Sequence, residues 1–127
     1  MAKCQFTAKY YDYERLAEAD YKCHDDEESV GSGRCMFHDE KYLQDKNNQK
    51  EQKVRDRLMS KVDYSIDQSQ ALFCIGYHVP DIEIKANFAA PVYFSKCEFQ
   101  GRVDLYGASF QGTGDFGFGT FSGEAVV

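Results

Sequence analysis

The chain has 127 residues and a formal net charge of −6, from 15 Lys+Arg against 21 Asp+Glu. That length fits one domain or two very small ones. The acidic balance argues against a dedicated nucleic-acid or anionic-membrane binder, whose affinity rests on surplus basic charge.

Hydrophobic residues make up 43% of the chain, enough for a core and too many for a disordered segment. The N-terminus has no apolar h-region of the kind a signal peptide needs. The longest apolar run, residues 71–75, is far too short to cross a bilayer. A cytoplasmic location is therefore expected. Five cysteines make an odd number for a disulfide framework, which favours reduced thiols or metal ligands.

Texture divides the chain into a polar, Cys/His-containing module over residues 1–70 and an apolar, Phe- and Gly-rich segment over 71–127. The first 40 residues hold Cys4, Cys23, Cys35 and His38. Cys35-x-x-His38 has the spacing of a knuckle that turns two ligands onto one metal, and Cys4 and Cys23 would complete a tetrahedral Cys₃His zinc site. Ser32-Gly33 supplies a tight turn just before it, and His24 is the alternative fourth ligand. Four protein ligands leave no open position for substrate, so such a site is structural. A small polar segment also needs a staple to fold.

Pairing Cys35 with His38, or Cys23 with His24, as a nucleophile and base finds no orienting partner, and no enzyme is expected. The acidic run Asp25-Asp26-Glu27-Glu28 lacks the spaced ligands and Gly of a calcium loop and reads as a solvated loop.

Val54, Leu58 and Val62 recur at four-residue spacing, which predicts an amphipathic helix over 49–62. Its other face carries Lys50, Lys53, Arg55, Arg57 and Lys61 among acids and amides. Residues 71–77 then read as a buried strand, and 81–85 alternate as a half-buried one.

The strongest signal lies downstream. Phe88, Phe94, Phe99, Leu105, Phe110, Phe116 and Phe121 are spaced 6, 5, 6, 5, 6 and 5 residues apart. Two positions before each stands a small or modest uncharged residue: Ala86, Val92, Cys97, Val103, Ala108, Gly114 and Gly119. A small–polar–large triplet alternates in, out, in, like a short strand. One unit cannot bury its Phe alone, so stability must come from stacked neighbours. Four units span 22 residues, which would stack Phe88 on Phe110, Phe94 on Phe116 and Phe99 on Phe121. Cys97 and Cys74 then read as buried core thiols. Within the repeat, residues 112–117 fit G-x-G-x-x-G, but no helical pattern follows them, so a dinucleotide site is not expected.

Ala86-Asn87-Phe88, Cys97-Glu98-Phe99, Ala108-Ser109-Phe110 and Gly119-Thr120-Phe121 resemble the motif of the pentapeptide-repeat family, with an extra residue in every second unit. The resemblance covers about a third of the chain. It implies a short right-handed quadrilateral β-helix, and together with the Cys/His residues and the helix read above the expected fold is mainly β, a β-helix of about two coils preceded by a small α+β, zinc-stapled module. Tyr93, Tyr106 and Phe118 fall on outward positions and are the expected partner-binding residues.

The function expected is a non-catalytic protein-interaction scaffold. Its partner is a protein, or a second copy through the open end of the β-helix. Two other roles stand as alternatives. An RNA-binding accessory role would use the knuckle and the basic helix. A DNA-mimic role is set against a net charge of −3 over residues 81–127 and a rise of only about 10 Å for two coils.

Overall fold

A computed structural model describes residues 2–28, 31–44 and 47–126. The Phe repeat winds through four stacked parallel ladders. In the second coil the passes are β6 (Asn87–Phe88), β7 (Val92–Tyr93), β8 (Glu98–Phe99) and β9 (Val103–Asp104). Twenty-two residues later come β10 (Ser109–Phe110), β11 (Gly114–Asp115), β12 (Thr120–Phe121) and β13 (Ala125–Val126), each parallel to its predecessor. The expected stacks form. Ring centroids are 5.2 Å apart for Phe88–Phe110, 5.2 Å for Phe94–Phe116 and 4.8 Å for Phe99–Phe121, all within 13° of parallel. Such pairs add about 0.5–1.5 kcal/mol beyond their buried area.

The stacked architecture starts earlier than Ala86. The stretch expected as one buried strand over 71–77 is instead two passes, β3 (Leu72–Phe73) and β4 (His78–Val79), separated by a corner at Gly76. The stretch expected over 81–85 shortens to β5 (Ile82–Glu83). β3, β4 and β5 pair in parallel with β7, β8 and β9. The register explains why this coil escapes the period. Leu72 pairs with Val92 and His78 with Glu98, both 20 residues on, while Ile82 pairs with Val103, 21 on. One residue is missing at the Pro80 corner and one more between Glu83 and Asn87, so the 22-residue repeat is broken without breaking the ladders.

The module before the coils has two elements. β1 (Thr7–Asp12) and β2 (Ala17–Lys22) form an antiparallel hairpin. Its turn is held by the Asp12 carboxylate, which accepts from the Glu14 and Arg15 backbone N–H groups, and by Leu16 at φ 55°. The helix α1 (Asn48–Gln68) runs six residues past the expected end at 62. No Gly or Pro stops it there, and Ser65 continues the buried stripe of Val54, Leu58 and Val62. Asn47 caps the start by accepting from Gln49 and Lys50 N–H. Ser69 ends it at φ 51°, with Gln70 N–H returned to the Ser65 carbonyl. One cluster of buried side chains runs from Cys4 and Phe37 through α1 into the first and second coils.

Burial falls along the stack. Phe99 is 1% exposed, whereas Phe121, directly over it, is 43% exposed. Removing a buried Phe leaves a cavity and costs about 3–5 kcal/mol, while a half-exposed one at the stack end costs about 1 kcal/mol. Phe94→Ala is therefore expected to lower stability by about 3–5 kcal/mol and Phe121→Ala by about 1 kcal/mol, read from urea unfolding of the two variants. Equal losses would contradict the gradient.

Candidate metal centre

Three segments bring the cluster together. Cys4 lies just before β1, where its N–H donates to the Asp25 carbonyl. Cys23 follows β2, and its N–H donates to the Phe6 carbonyl. Cys35 opens a turn whose carbonyl accepts from both His38 and Asp39 N–H, folding His38 back beside Cys35. The ligand atoms of Cys4, Cys23, Cys35 and His38 are all buried and lie within 4.8 Å of one another. Cys23 Sγ and Cys35 Sγ are 3.8 Å apart, Cys4 Sγ is 3.6 Å from His38 Nδ1, and Cys35 Sγ is 3.2 Å from it. These residues could hold a metal ion. His24, the alternative fourth ligand, is exposed and stands outside the cluster.

The histidine is prepared for that role. His38 Nε2 lies 2.8 Å from the Ile75 carbonyl oxygen, which can only accept, so Nε2 carries the proton. Nδ1 is left as a bare lone pair among the sulfurs, the orientation that second-shell partners impose on metal-binding imidazoles. Phe6 stacks on the ring at 3.9 Å and Tyr77 meets it edge-on at 5.2 Å, fixing its plane.

The sulfurs are electrostatically tuned. Cys23 is pulled well below the usual thiol range, first by a hydrogen bond with Cys35 and against the cost of burial. Cys35 is pushed up by that same bond and by burial. The backbone N–H groups of Asp25 and Phe37, each two residues after its cysteine, also favour the Cys23 and Cys35 thiolates. Cys74 and Cys97 stand apart in the coil core, where burial raises both, Cys97 to about 12. They are unreactive packing thiols.

The acidic run was expected as a solvated loop, and it is a strap. Lys61 donates to Asp25 at 3.0 Å and Lys3 to Asp26 at 2.7 Å, while Lys53 pairs with Glu28. The Glu27 carboxylate is buried and accepts from Gly31 and Gly33 N–H, holding the loop that leads to Cys35. Only the short spacing between the acids and the glycines hinted at this in the sequence.

The three residues expected to bind a partner do not share a surface. Tyr93 points out of its coil as expected, but it is 1% exposed because the hairpin covers it. Tyr10 packs edge-on against Tyr93 at 5.2 Å, Phe73 stacks on it at 5.1 Å, and Tyr13 N–H donates to its hydroxyl. Phe118 and Tyr106 are 92% and 80% exposed. Phe118 sits at the corner between β11 and β12 and Tyr106 at the corner between β9 and β10, which places them at opposite corners.

Gly76 joins the cluster to the coils. Its φ is 73°, and a Cβ there would lie 2.4 Å from Phe6 Cζ, the ring stacked on His38. Gly76→Ala is expected to cost about 2–3 kcal/mol by combining backbone strain with displacement of Phe6, measured by chemical denaturation. A change below about 0.5 kcal/mol would show that Phe6 yields freely. No family model, no curated protein and no solved structure matches this chain.

Proposed function

We propose that the protein is a non-catalytic docking scaffold: a structural zinc site that clamps a small α+β module onto a short right-handed quadrilateral β-helix of the pentapeptide-repeat type. The observation that carries this reading is the closed, pre-oriented donor set of Cys4, Cys23, Cys35 and His38. Tetrahedral zinc, with Zn–S about 2.3 Å and Zn–N about 2.0–2.1 Å, sets donor edges of about 3.8 Å between sulfurs and about 3.6 Å between sulfur and nitrogen. The 3.8 Å and 3.6 Å separations of Cys23–Cys35 and Cys4–His38 match them, and Cys35–His38 at 3.2 Å is shorter and would open by about 0.4 Å around the ion. Three thiolates and one imidazole favour zinc over hard cations. With no ligand position left for water, the metal supplies folding energy and no Lewis-acid chemistry. Ligating thiols must stay reduced, which fits a cytoplasmic setting.

Docking is assigned to the last coil. Phe118 occupies a corner at φ 57°, stacked in series above Lys96 at 59° and Gly76 at 73°. A bulky residue in that region is strained by about 1–2 kcal/mol. Packing within the chain does not compensate it, because the ring is almost wholly exposed. Phe121 beside it is half-exposed, and β12 is an edge strand. An aromatic rim on a strand edge suits a protein partner or a second copy of the chain. The RNA-binding alternative has less support, since Lys53 and Lys61 of α1 are engaged by Glu28 and Asp25. No helix among the described residues is long and apolar enough to cross a membrane.

Native mass spectrometry is expected to find one zinc per chain. Cys35→Ser and His38→Ala should each abolish it, and chelation should unfold the module. A metal-free chain with an unchanged melting curve in chelator would overturn the zinc assignment. For docking, Phe118→Asn relieves the corner strain because Asn tolerates positive φ. It should raise stability by about 1 kcal/mol while weakening concentration-dependent self-association in sedimentation equilibrium. A wild-type chain that stays monomeric at about millimolar concentration would count against self-association through this end.

A further inference from the structure

A cleft of about 660 Å³ opens between β2, α1 and β3, at the first coil of the stack. Its size falls in the range of small-ligand sites, about 300–1,000 Å³. The proposed scaffold role makes no use of it. Tyr64 of α1 and Phe73 of β3 line it, both with substantial exposed ring surface. Tyr77 is buried and also lines it, and its hydroxyl has no hydrogen-bond partner among the described residues.

Charge singles the cleft out further. Its two carboxylates are already committed, Asp25 to Lys61 at 3.0 Å and Asp20 to Lys9 at 2.6 Å. Lys22, His24 and Arg57 also line it and make no hydrogen bond or ion pair with described residues. A protein of net charge −6 thus brings two cationic side chains without an ion pair, Lys22 and Arg57, beside aromatic faces, and the acid that acts on Arg57, Asp26, is itself paired with Lys3. Arg with Lys is the pairing that recognises phosphate, and exposed aromatic faces take a flat ring by stacking. The two demands together describe one ligand: a planar heteroaromatic ring carrying a phosphate.

The geometry points to a mononucleotide-binding site in this cleft. The base packs against Tyr64 and Phe73, the phosphate pairs with Arg57 and Lys22, and the Tyr77 hydroxyl offers a hydrogen bond from the floor. This site is independent of the docking rim, and its failure would leave the scaffold reading untouched.

Calorimetric titration of the full chain with adenosine 5′-monophosphate, adenosine and inorganic phosphate tests it. The monophosphate is expected to saturate with a Kd below about 100 µM, with adenosine and inorganic phosphate each at least about tenfold weaker. Arg57→Gln and Tyr64→Ala alter exposed side chains and should leave the melting temperature unchanged. Each should weaken the monophosphate about five- to tenfold. Amide shifts around Tyr21 and Tyr77 should follow the same titration in NMR spectra. Monophosphate binding no tighter than inorganic phosphate would mean an adventitious ion only and would overturn the proposal. So would an unchanged Kd in Arg57→Gln, or no binding up to about 1 mM. Binding of a single-stranded oligonucleotide without any binding of the monophosphate would overturn it in favour of an RNA surface.

Discussion

Two hydrogen bonds from adjacent residues hold the molecule together as one object. The Ile75 carbonyl accepts from His38 Nε2–H at 2.8 Å, and the Phe37 carbonyl accepts from His78 N–H, also at 2.8 Å. In the ladder of β4, β8 and β12 the backbone N–H groups point back toward the preceding coil, as Glu98 N–H does to the Tyr77 carbonyl. β4 has no preceding coil, so its N–H would be an orphan at the mouth of a buried core. Phe37 supplies the missing acceptor, and its ring stacks on Tyr77 at 4.2 Å. The turn that presents Cys35 and His38 therefore also closes the end of the stack. An unmet buried backbone donor costs about 1–3 kcal/mol, so the cluster and the first coil each favour the other's fold.

A metal at the cluster would strengthen this dependence. A cation there would bind three sulfurs and an imidazole that already lie within 4.8 Å of one another. Charge compensation there would fix the knuckle, the knuckle would fix β4, and β4 templates β8 and β12. Around the site, Lys3 from the N-terminal segment and Lys53 and Lys61 from α1 reach the acidic strap. Exposed pairs of this kind are individually worth little. Their role is to keep the strap, and with it Cys23, in register.

What the sequence made legible follows from what kind of constraint each part obeys. The Phe stacks were readable because the second and third coils keep an uninterrupted 22-residue register. The first coil was not, because two corner deletions shift it to 20 and 21 while leaving every pairing intact. Cys4, Cys23, Cys35 and His38 were readable from their chemistry alone, which singles out few residues in so short a segment. The choice between His38 and His24 was decided by a carbonyl 37 positions away, which local spacing cannot show. The hairpin was hidden because its turn uses Leu16 in the left-handed region where Gly or Asn is usual. Tyr93 was misplaced for a related reason: its outward direction was right, but Tyr10 and Tyr13 come from the opposite end of the chain to cover it.

The same covering explains why stability and availability run in opposite directions along the stack. The first coil is sealed by the knuckle, α1 and the hairpin, and its core side chains Cys74, Ile75, Tyr77 and Val79 are wholly buried. Among the described residues the third coil has ladder partners on one side only, and Phe110 and Phe116 are half-buried and Phe121 exposed. In a linear array each coil is stabilised by its neighbours, so the coil with one neighbour opens first. The surface best placed to meet another molecule is thus also the part least held by its own chain. Ordering by a partner would add there the second neighbour that the first coil already receives from the Cys/His module.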